Sequence, residues 1–282
     1  MIRKKLQIIP IILLSLLCSS CVSVGEIHAY GLPDGPRFAE NFAEKKIPPK
    51  DELTVVTLNV KFCFLPNAVI KLLNEDENLA GADVICMQEM CRETTQKIAE
   101  ALNYNYVYYP SAIHPGTGVD YGVAILSKWP IEEDKKIILP HSEKDRYSKM
   151  PKTAVGVKLR VGNKRIAVFS AHLNAMISTR YRVGQIQAML DAIPAGCDSC
   201  IVTGDFNTYT HAQIEAIAGL LEDSGFVYAS EDAGWTYKHW YLLNKKSVLD
   251  HIFVRGFDVV DSGTSVVRVS DHRGVWVDLK LN

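Results

Sequence analysis

Short apolar runs rich in β-branched residues recur along this chain, and each stops at a polar side chain. T-V-V-T-L-N-V over residues 54–60 and D-V-I-C-M over 83–87 are the clearest; runs of that length and composition predict buried strands. Between them Val69, Leu72, Leu73 and Leu79 recur at helical spacing, and a second helix is expected after Glu89 through Ile98 and Leu102. Strands are expected at 121–127, 153–161 and 165–171, the last two forming an antiparallel hairpin about Gly162-Asn163-Lys164. Ser178 can cap a helix running to Asp191 with Val183, Ile186 and Leu190 on its apolar face, before a strand at 201–203 and a helix near 212–221. Strands return at 249–254 and at 275–281, where Val275, Val277, Leu279 and Leu281 alternate with Trp276, Asp278 and Lys280. Mixed strands with interspersed helices predict two packed sheets covered by helices.

The first 20 residues read differently. Arg3, Lys4 and Lys5 precede an apolar run at 8–17, which is too short to anchor a chain across a bilayer and ends in Cys18-Ser19-Ser20-Cys21. This is the pattern of a signal peptide (residues 1–20). The stretch also resembles a bacterial lipobox in which Cys21 becomes the lipidated first residue, although Cys18 stands where a larger aliphatic residue is usual. Residues 21–50 mix Gly, Pro and charges without periodicity and read as a tether. No Pro/Gly/Ser-rich linker divides the rest, so 51–282 is expected to be one domain.

The formal charge is −1 over 282 residues, and loss of the first 20 removes three positive charges and no negative ones. Tight nucleic-acid binding leaves a footprint of clustered Lys and Arg; the sequence offers only short groups such as Lys238 with Lys245 and Lys246. Five cysteines lie beyond Cys21, an odd number for an oxidising compartment. Cys197-Asp198-Ser199-Cys200 is expected to close a small disulfide loop; zinc or redox chemistry is the alternative, but no second ligand pair at matching spacing accompanies it.

Polar residues at the ends of apolar strands are the candidates for chemistry, since rigid sheet backbone fixes them while loops admit a substrate. They are Asn59, Glu89, His172, Asp205 with Asn207, Asp250 with His251, and Asp271 with His272. Asp205 and Asn207 in G-D-F-N can face one side if the strand continues, although an Asx turn gives the same string. His272 can take a proton from water if a carboxylate such as Asp250 orients it, and a lone loop histidine is the ordinary alternative. Glu89 offers a hard oxygen ligand and Asn59 a neutral one, a set suited to Mg²⁺, which keeps several waters and takes few protein ligands. Glu89 can equally cap the helix that follows.

The ordered series T-L-N-V, Q-E, Y-G-V-A-I-L-S-K-W-P-I, A-H-L, R-x-x-Q at Arg182 and Gln185, G-D-F-N, L-D-H-I-F and S-D-H resembles the endonuclease/exonuclease/phosphatase superfamily over residues 53–282. That superfamily includes deoxyribonucleases, abasic-site endonucleases, inositol-phosphate phosphatases, deadenylases and bacterial sphingomyelinases. The resemblance implies an α/β fold, a four-layer α/β/β/α sandwich with two mixed, mainly antiparallel sheets and the active site at one edge. It implies a Mg²⁺ ion, with Mn²⁺ as substitute, held by Glu89 and Asn59 with Asp271 as a further ligand. His272 would be the general base with Asp250 as its partner, His172 and Asn207 would contact phosphate, and Asp205 would position the nucleophile or assist the leaving group. Tyr121 is expected either to border the phosphate site or to pack within its strand, and Arg182 to brace its helix or a neighbouring carboxylate. The expected activity is hydrolysis of a phosphoester, foremost a phosphodiester, by an exported monomer tethered to a bacterial membrane through lipid on Cys21. Its rivals are a phosphomonoesterase on sugar or inositol phosphates and a non-catalytic binding lipoprotein. Trp235, Tyr237 and Trp240 could rim a substrate or simply pack.

Overall fold

A computed structural model describes residues 29–43, 47–48, 50–114, 116–141, 151–239 and 245–282. The expected signal peptide, Cys21 and Trp240 lie outside them. Strands β1 (Phe38–Asn41) and β2 (Glu52–Asn59) lead through helix α1 (Pro66–Glu75) to β3 (Val84–Met90) and helix α2 (Arg92–Leu102). Five strands follow: β4 (Asn105–Ile113), β5 (Asp120–Ser127), β6 (Ile131–Ile138), β7 (Thr153–Val161) and β8 (Lys164–His172). Then come α3 (Thr179–Leu190), β9 (Ser199–Asp205) and α4 (His211–Asp223). The chain ends with β10 (Val227–Tyr228), β11 (Tyr237–Lys238), β12 (Lys246–Ser247), β13 (Asp250–Arg255), β14 (Phe257–Thr264) and β15 (Val275–Leu281).

These strands make a seven-stranded sheet, ordered β1-β4-β5-β3-β2-β15-β14, a six-stranded sheet, ordered β10-β13-β9-β8-β7-β6, and a small β11-β12 pair. Only β2 with β3 and β8 with β9 run parallel. Strand residues alternate between faces, so Val55, Val84, Val123 and Val275 of one sheet meet Val155, Val168, Ile201 and Ile252 of the other in a shared core. The opposite face of the seven-stranded sheet packs Val56, Leu58 and Ile85 under Val69, Leu72 and Ile98 of α1 and α2. On the six-stranded sheet Phe169, Val202 and Phe253 lie under Ile186, Met189, Ile217 and Leu221 of α3 and α4. The result is the four-layer α/β/β/α sandwich, and its strands read as continuous apolar runs because both faces are covered.

Local chemistry fixes several joints. Helix α4 starts on a capping box in which Thr210 accepts from Gln213 N and the Gln213 side chain accepts in return. Ser178 does precede α3, but its hydroxyl makes no capping bond. The β7–β8 hairpin closes Val161 on Lys164, with Gly162 at φ 59 taking the turn.

Two expectations are corrected here. Residues 38–41, assigned to the tether, pair with β4 as an edge strand, Phe38 stacking on Tyr108 at 6.1 Å; an edge strand with exposed Glu40 and Asn41 lacks the apolar run that marks a buried one. The Cys197–Cys200 disulfide is not formed. Cys197 instead donates to Ser199 O (3.3 Å), and hydrogen bonding with the buried Cys200 thiol draws its pKa down to about 6. Among the described residues no helix is long and apolar enough to cross a membrane.

Candidate active site

Register delivers the functional residues to one edge of the sandwich. The parallel pairs β2–β3 and β8–β9 end together, placing Asn59 beside Gln88 and His172 beside Asp205, while Asp250 at the start of β13 sits across from Asp205. Strand β15 runs antiparallel to β2, so the turn before it arrives where β2 ends. Ser270 fastens that turn: its hydroxyl donates to Asn59 O (2.6 Å) and accepts from His272 N (3.0 Å). Behind the site Gln88 Nε2 donates to Thr57 Oγ1 (3.0 Å) and to Ser170 Oγ (3.1 Å), tying one sheet to the other.

Two backbone features aim the side chains. Gly204 has φ +136, and a Cβ there would lie 2.0 Å from Ala171 O, so only glycine lets β9 lie this close to β8 just before Asp205. Glu89 occupies a bulge between Gln88 and Met90 with φ 56, a conformation costing about 1–3 kcal/mol that surrounding structure must enforce. Its carboxylate accepts from Asn59 Nδ2 (3.1 Å) and from Phe62 N (3.1 Å).

The remaining contacts join the cluster. Asn59 Nδ2 also donates to Asp205 Oδ2 (2.9 Å), and Asn59 Oδ1 accepts from Lys61 N (2.9 Å). His272 Nδ1 pairs with Asp250 Oδ2 at 2.7 Å, and its Nε2 faces Asp205 Oδ2 at 3.8 Å. His172 lies between Asp205 (3.6 Å) and Glu89 (3.9 Å). Asn207, at φ 53, ends the strand alternation, so the Asx turn and the site coexist: its N donates to Asp205 Oδ1 (3.0 Å), while its amide bonds Leu173 O and Tyr209 OH. Asp271 lines the same cleft and pairs with Lys61 (3.0 Å). Arg182 is fully buried and donates to the carbonyls of Asn174 and Ala175, bracing the loop after β8.

Burial shapes the proton inventory. It pulls His272 down, but Asp250 and Asp205 outweigh it and lift the imidazole to about 10. Burial foremost, with Asp250 adding repulsion against the pull of His272, raises Asp205 to about 7. His172 is pushed down by burial, Lys152 and His272, and stays neutral. Asp205 and His272 therefore titrate as one unit rather than as separate acid and base.

Two groups of side chains here offer donors that suit a divalent cation. Glu89 presents a carboxylate and Asn59 a neutral side-chain oxygen once its amide turns over, and both are hard ligands. Asp205, Asp250 and His272 also bring ligand atoms within 4.8 Å of one another. There the imidazole Nδ1 is already hydrogen-bonded to Asp250, which leaves His272 Nε2 and the Asp205 carboxylate as the atoms facing the cleft.

The cleft over this floor has a volume of about 320 Å³. Its lining includes residues the sequence did not disclose: Lys61, Phe62, His114, Lys152 and Tyr209, with Tyr121 and Tyr237 beside them. Lys152 is 8% exposed and donates to Tyr121 OH (2.5 Å). Its only sequence signal is a lysine at the mouth of a strand, which is too common to single out. Phe62, His114 and Tyr121 cluster on the His172 side, with Phe62 and His114 centroids 4.0 Å apart. Tyr237, 4.8 Å from His272, groups with His239 and Tyr209 on the other.

Comparison with known proteins agrees with the fold. The model of the Endonuclease/Exonuclease/phosphatase family matches residues 56–272. A UPF0294 protein of Vibrio parahaemolyticus is 24% identical over 180 residues, 63% of this chain and 60% of that relative's length. An endonuclease/exonuclease/phosphatase from Beutenbergia cavernae superposes with a TM-score of 0.68 at 18% identity, covering 83% of this chain and 72% of its own. The mannosyl-6-phosphatase Bt3783 of Bacteroides thetaiotaomicron gives 0.62 at 18% identity, covering 80% and 99%. At such identities the structures establish a shared fold.

Proposed function

This chain belongs to the endonuclease/exonuclease/phosphatase family, a family of phosphoester hydrolases, and from that premise we propose that it hydrolyses phosphodiesters by attack of an activated water. The observation that carries the reading is the buried line Asp250–His272–Asp205 on the cleft floor beside Glu89 and Asn59. Lys152, neutral His172 and Asn207 line the space for phosphate. In this reading the His272–Asp205 pair takes the water's proton; Asp250 fixes the imidazole by its Nδ1 bond, and the charge on His272 opposes the negative charge growing at phosphorus. The sequence reading made His272 the base with Asp250 as its partner; because a carboxylate facing Nε2 favours the imidazolium, this proposal shares the base function between His272 and Asp205. A divalent cation, Mg²⁺ or Mn²⁺, would be held by Glu89 and Asn59, where it supplies charge neutralisation for the phosphate oxygens.

Two aromatic groups flank this floor, one against His172 and one against His272. That favours an ester with an organic arm on each side over a monoester. Export and anchoring through lipid on Cys21 belong to the same proposal, supported by the charged and apolar pattern of residues 1–21.

The test is hydrolysis by the purified chain with Mg²⁺ of bis(4-nitrophenyl) phosphate against 4-nitrophenyl phosphate. Faster turnover of the diester, abolished by EDTA and restored by Mg²⁺, is expected. Turnover that survives exhaustive chelation, or confined to the monoester, contradicts the reading.

A further inference from the structure

Outside the cleft, two stretches distant in sequence bring their cations to one indole. Arg273 stacks over Trp235 with its guanidinium carbon 3.7 Å from the ring centroid, Lys246 approaches at 4.8 Å and Arg268 at 5.8 Å. Lys238 stands opposite Lys246 in the β11–β12 pair, and Lys245 precedes Lys246 in the chain. Among the described residues none of these five forms an ion pair with a carboxylate. The Arg273 Nε is buried and has no hydrogen-bond partner among the described residues.

An uncompensated group of this kind costs stability in the free protein and is relieved by an anion. Stacking on an indole holds a guanidinium in plane while leaving its N–H edge available, the geometry that grips phosphate oxygens in pairs. Here Arg273 spends Nη1 on Thr264 Oγ1 (3.3 Å) and buries Nε, so Nη2 is the group it can offer to an anion. The cluster also adjoins the cleft through the backbone: Arg273 follows His272, Tyr237 bridges to His272, and Arg273 N donates to Thr236 O (2.7 Å).

We propose that Arg273, Arg268 and Lys246 on Trp235, with Lys238 and Lys245, form a second anion site that holds a non-scissile phosphate of a substrate carrying more than one. The inference rests on the reading of the cleft as a phosphodiesterase site. It assigns the substrate a further phosphate beyond the cleft on its His272 side, whether in a short oligonucleotide or in an inositol polyphosphate.

Two variants test it: Arg273→Gln with Lys246→Gln, and Lys246→Gln with Arg268→Gln, the latter confined to exposed side chains so that folding is spared. Steady-state kinetics with Mg²⁺ compare bis(4-nitrophenyl) phosphate, which has one phosphate, with a thymidine tetranucleotide, and inositol hexakisphosphate serves as a competing inhibitor. A tenfold or greater rise in KM for the tetranucleotide with kcat unchanged, or the same rise in Ki for inositol hexakisphosphate, supports the site and identifies the source; the artificial diester keeps both constants. Each lost phosphate contact on a single strand also lowers the slope of log affinity against log salt by about 0.7. Equal losses on all substrates, no change on any, or loss of binding to phosphatidylglycerol vesicles alone overturns the proposal. Anisotropy of a fluorescein-labelled oligothymidylate reads the same site without turnover. A wild-type chain that hydrolyses no diester yet binds the oligonucleotide through these cations would therefore refute the cleft reading and leave the anion site standing.

Discussion

Replacing Asp250 with Asn isolates the electrostatic part of the relay. The carboxylate is 1% exposed and its Oδ2 lies 2.7 Å from His272 Nδ1, so asparagine keeps volume and one contact while deleting the charge. A hydrogen bond to a charged group contributes about 1.5–3 kcal/mol, and Asp250 is the leading influence lifting His272 toward about 10 against burial. Its loss lets the proton affinity of His272 fall and removes one of the repulsions that raise Asp205. The imidazole is then neither fixed in orientation nor held positive opposite the phosphate. Positioned acid–base groups contribute roughly 10²–10⁴-fold, so kcat on bis(4-nitrophenyl) phosphate should drop by that factor, equivalent to about 2.7–5.4 kcal/mol of barrier. The pH–rate profile should move as well, because the coupled His272–Asp205 unit loses the charge that acts on both of its members. Because the substitution is isosteric the fold should be kept, with the melting temperature lowered by several degrees through loss of the charged hydrogen bond. A folded Asp250→Asn protein with kcat within threefold of native and an unmoved pH profile would refute the relay.

Gly204→Ala should cost about 3 kcal/mol, since φ +136 and a Cβ 2.0 Å from Ala171 O combine backbone strain with overpacking; calorimetry should show a clear fall in melting temperature, and an unchanged value would contradict the close approach of β8 and β9. His251 is buried between Thr208 Oγ1 (2.6 Å) and Tyr228 OH (2.5 Å), and burial, only partly offset by Asp250, holds it down at about 4 against an ordinary 6.5. A depressed folded pKa means the unfolded chain binds the extra proton first, so this stability is complete above pH 6.5 and drains away as pH falls toward 4, by about 3 kcal/mol in all. Denaturant titrations of the native chain and His251→Gln at pH 7 and pH 4.5 should show the native chain losing more stability on acidification; parallel losses would remove His251 as the cause.

Much of the site was legible because each residue that matters interrupts an apolar run. Asn59, His172 and Asp205 end β2, β8 and β9, Glu89 lies one residue from the end of β3, and Asp250 opens β13, so the strand pattern that predicted the sandwich also marked where its polar floor would be. Other features left no such trace. Strand β4 escaped notice because Pro110 argues against a strand, and the structure accommodates it at a bulge beside Ala112. The edge strands β1 and β14 carry exposed Glu40 and Asp258, and so lacked a buried run to recognise.

What the sequence determined by itself is local: which segments are apolar, where each run stops, and which side chains stand there. Whether those stops share one edge depends on the two parallel registers, Asn59 beside Gln88 and His172 beside Asp205, and register is set by packing between sheets rather than by any single run. Tertiary structure alone brought Lys152 under Tyr121 and gathered Lys246, Arg268 and Arg273 on Trp235. Charges contributed one at a time by separate strands and loops are diluted along the chain, and they acquire a common field only when folding sets them within a few ångströms of each other.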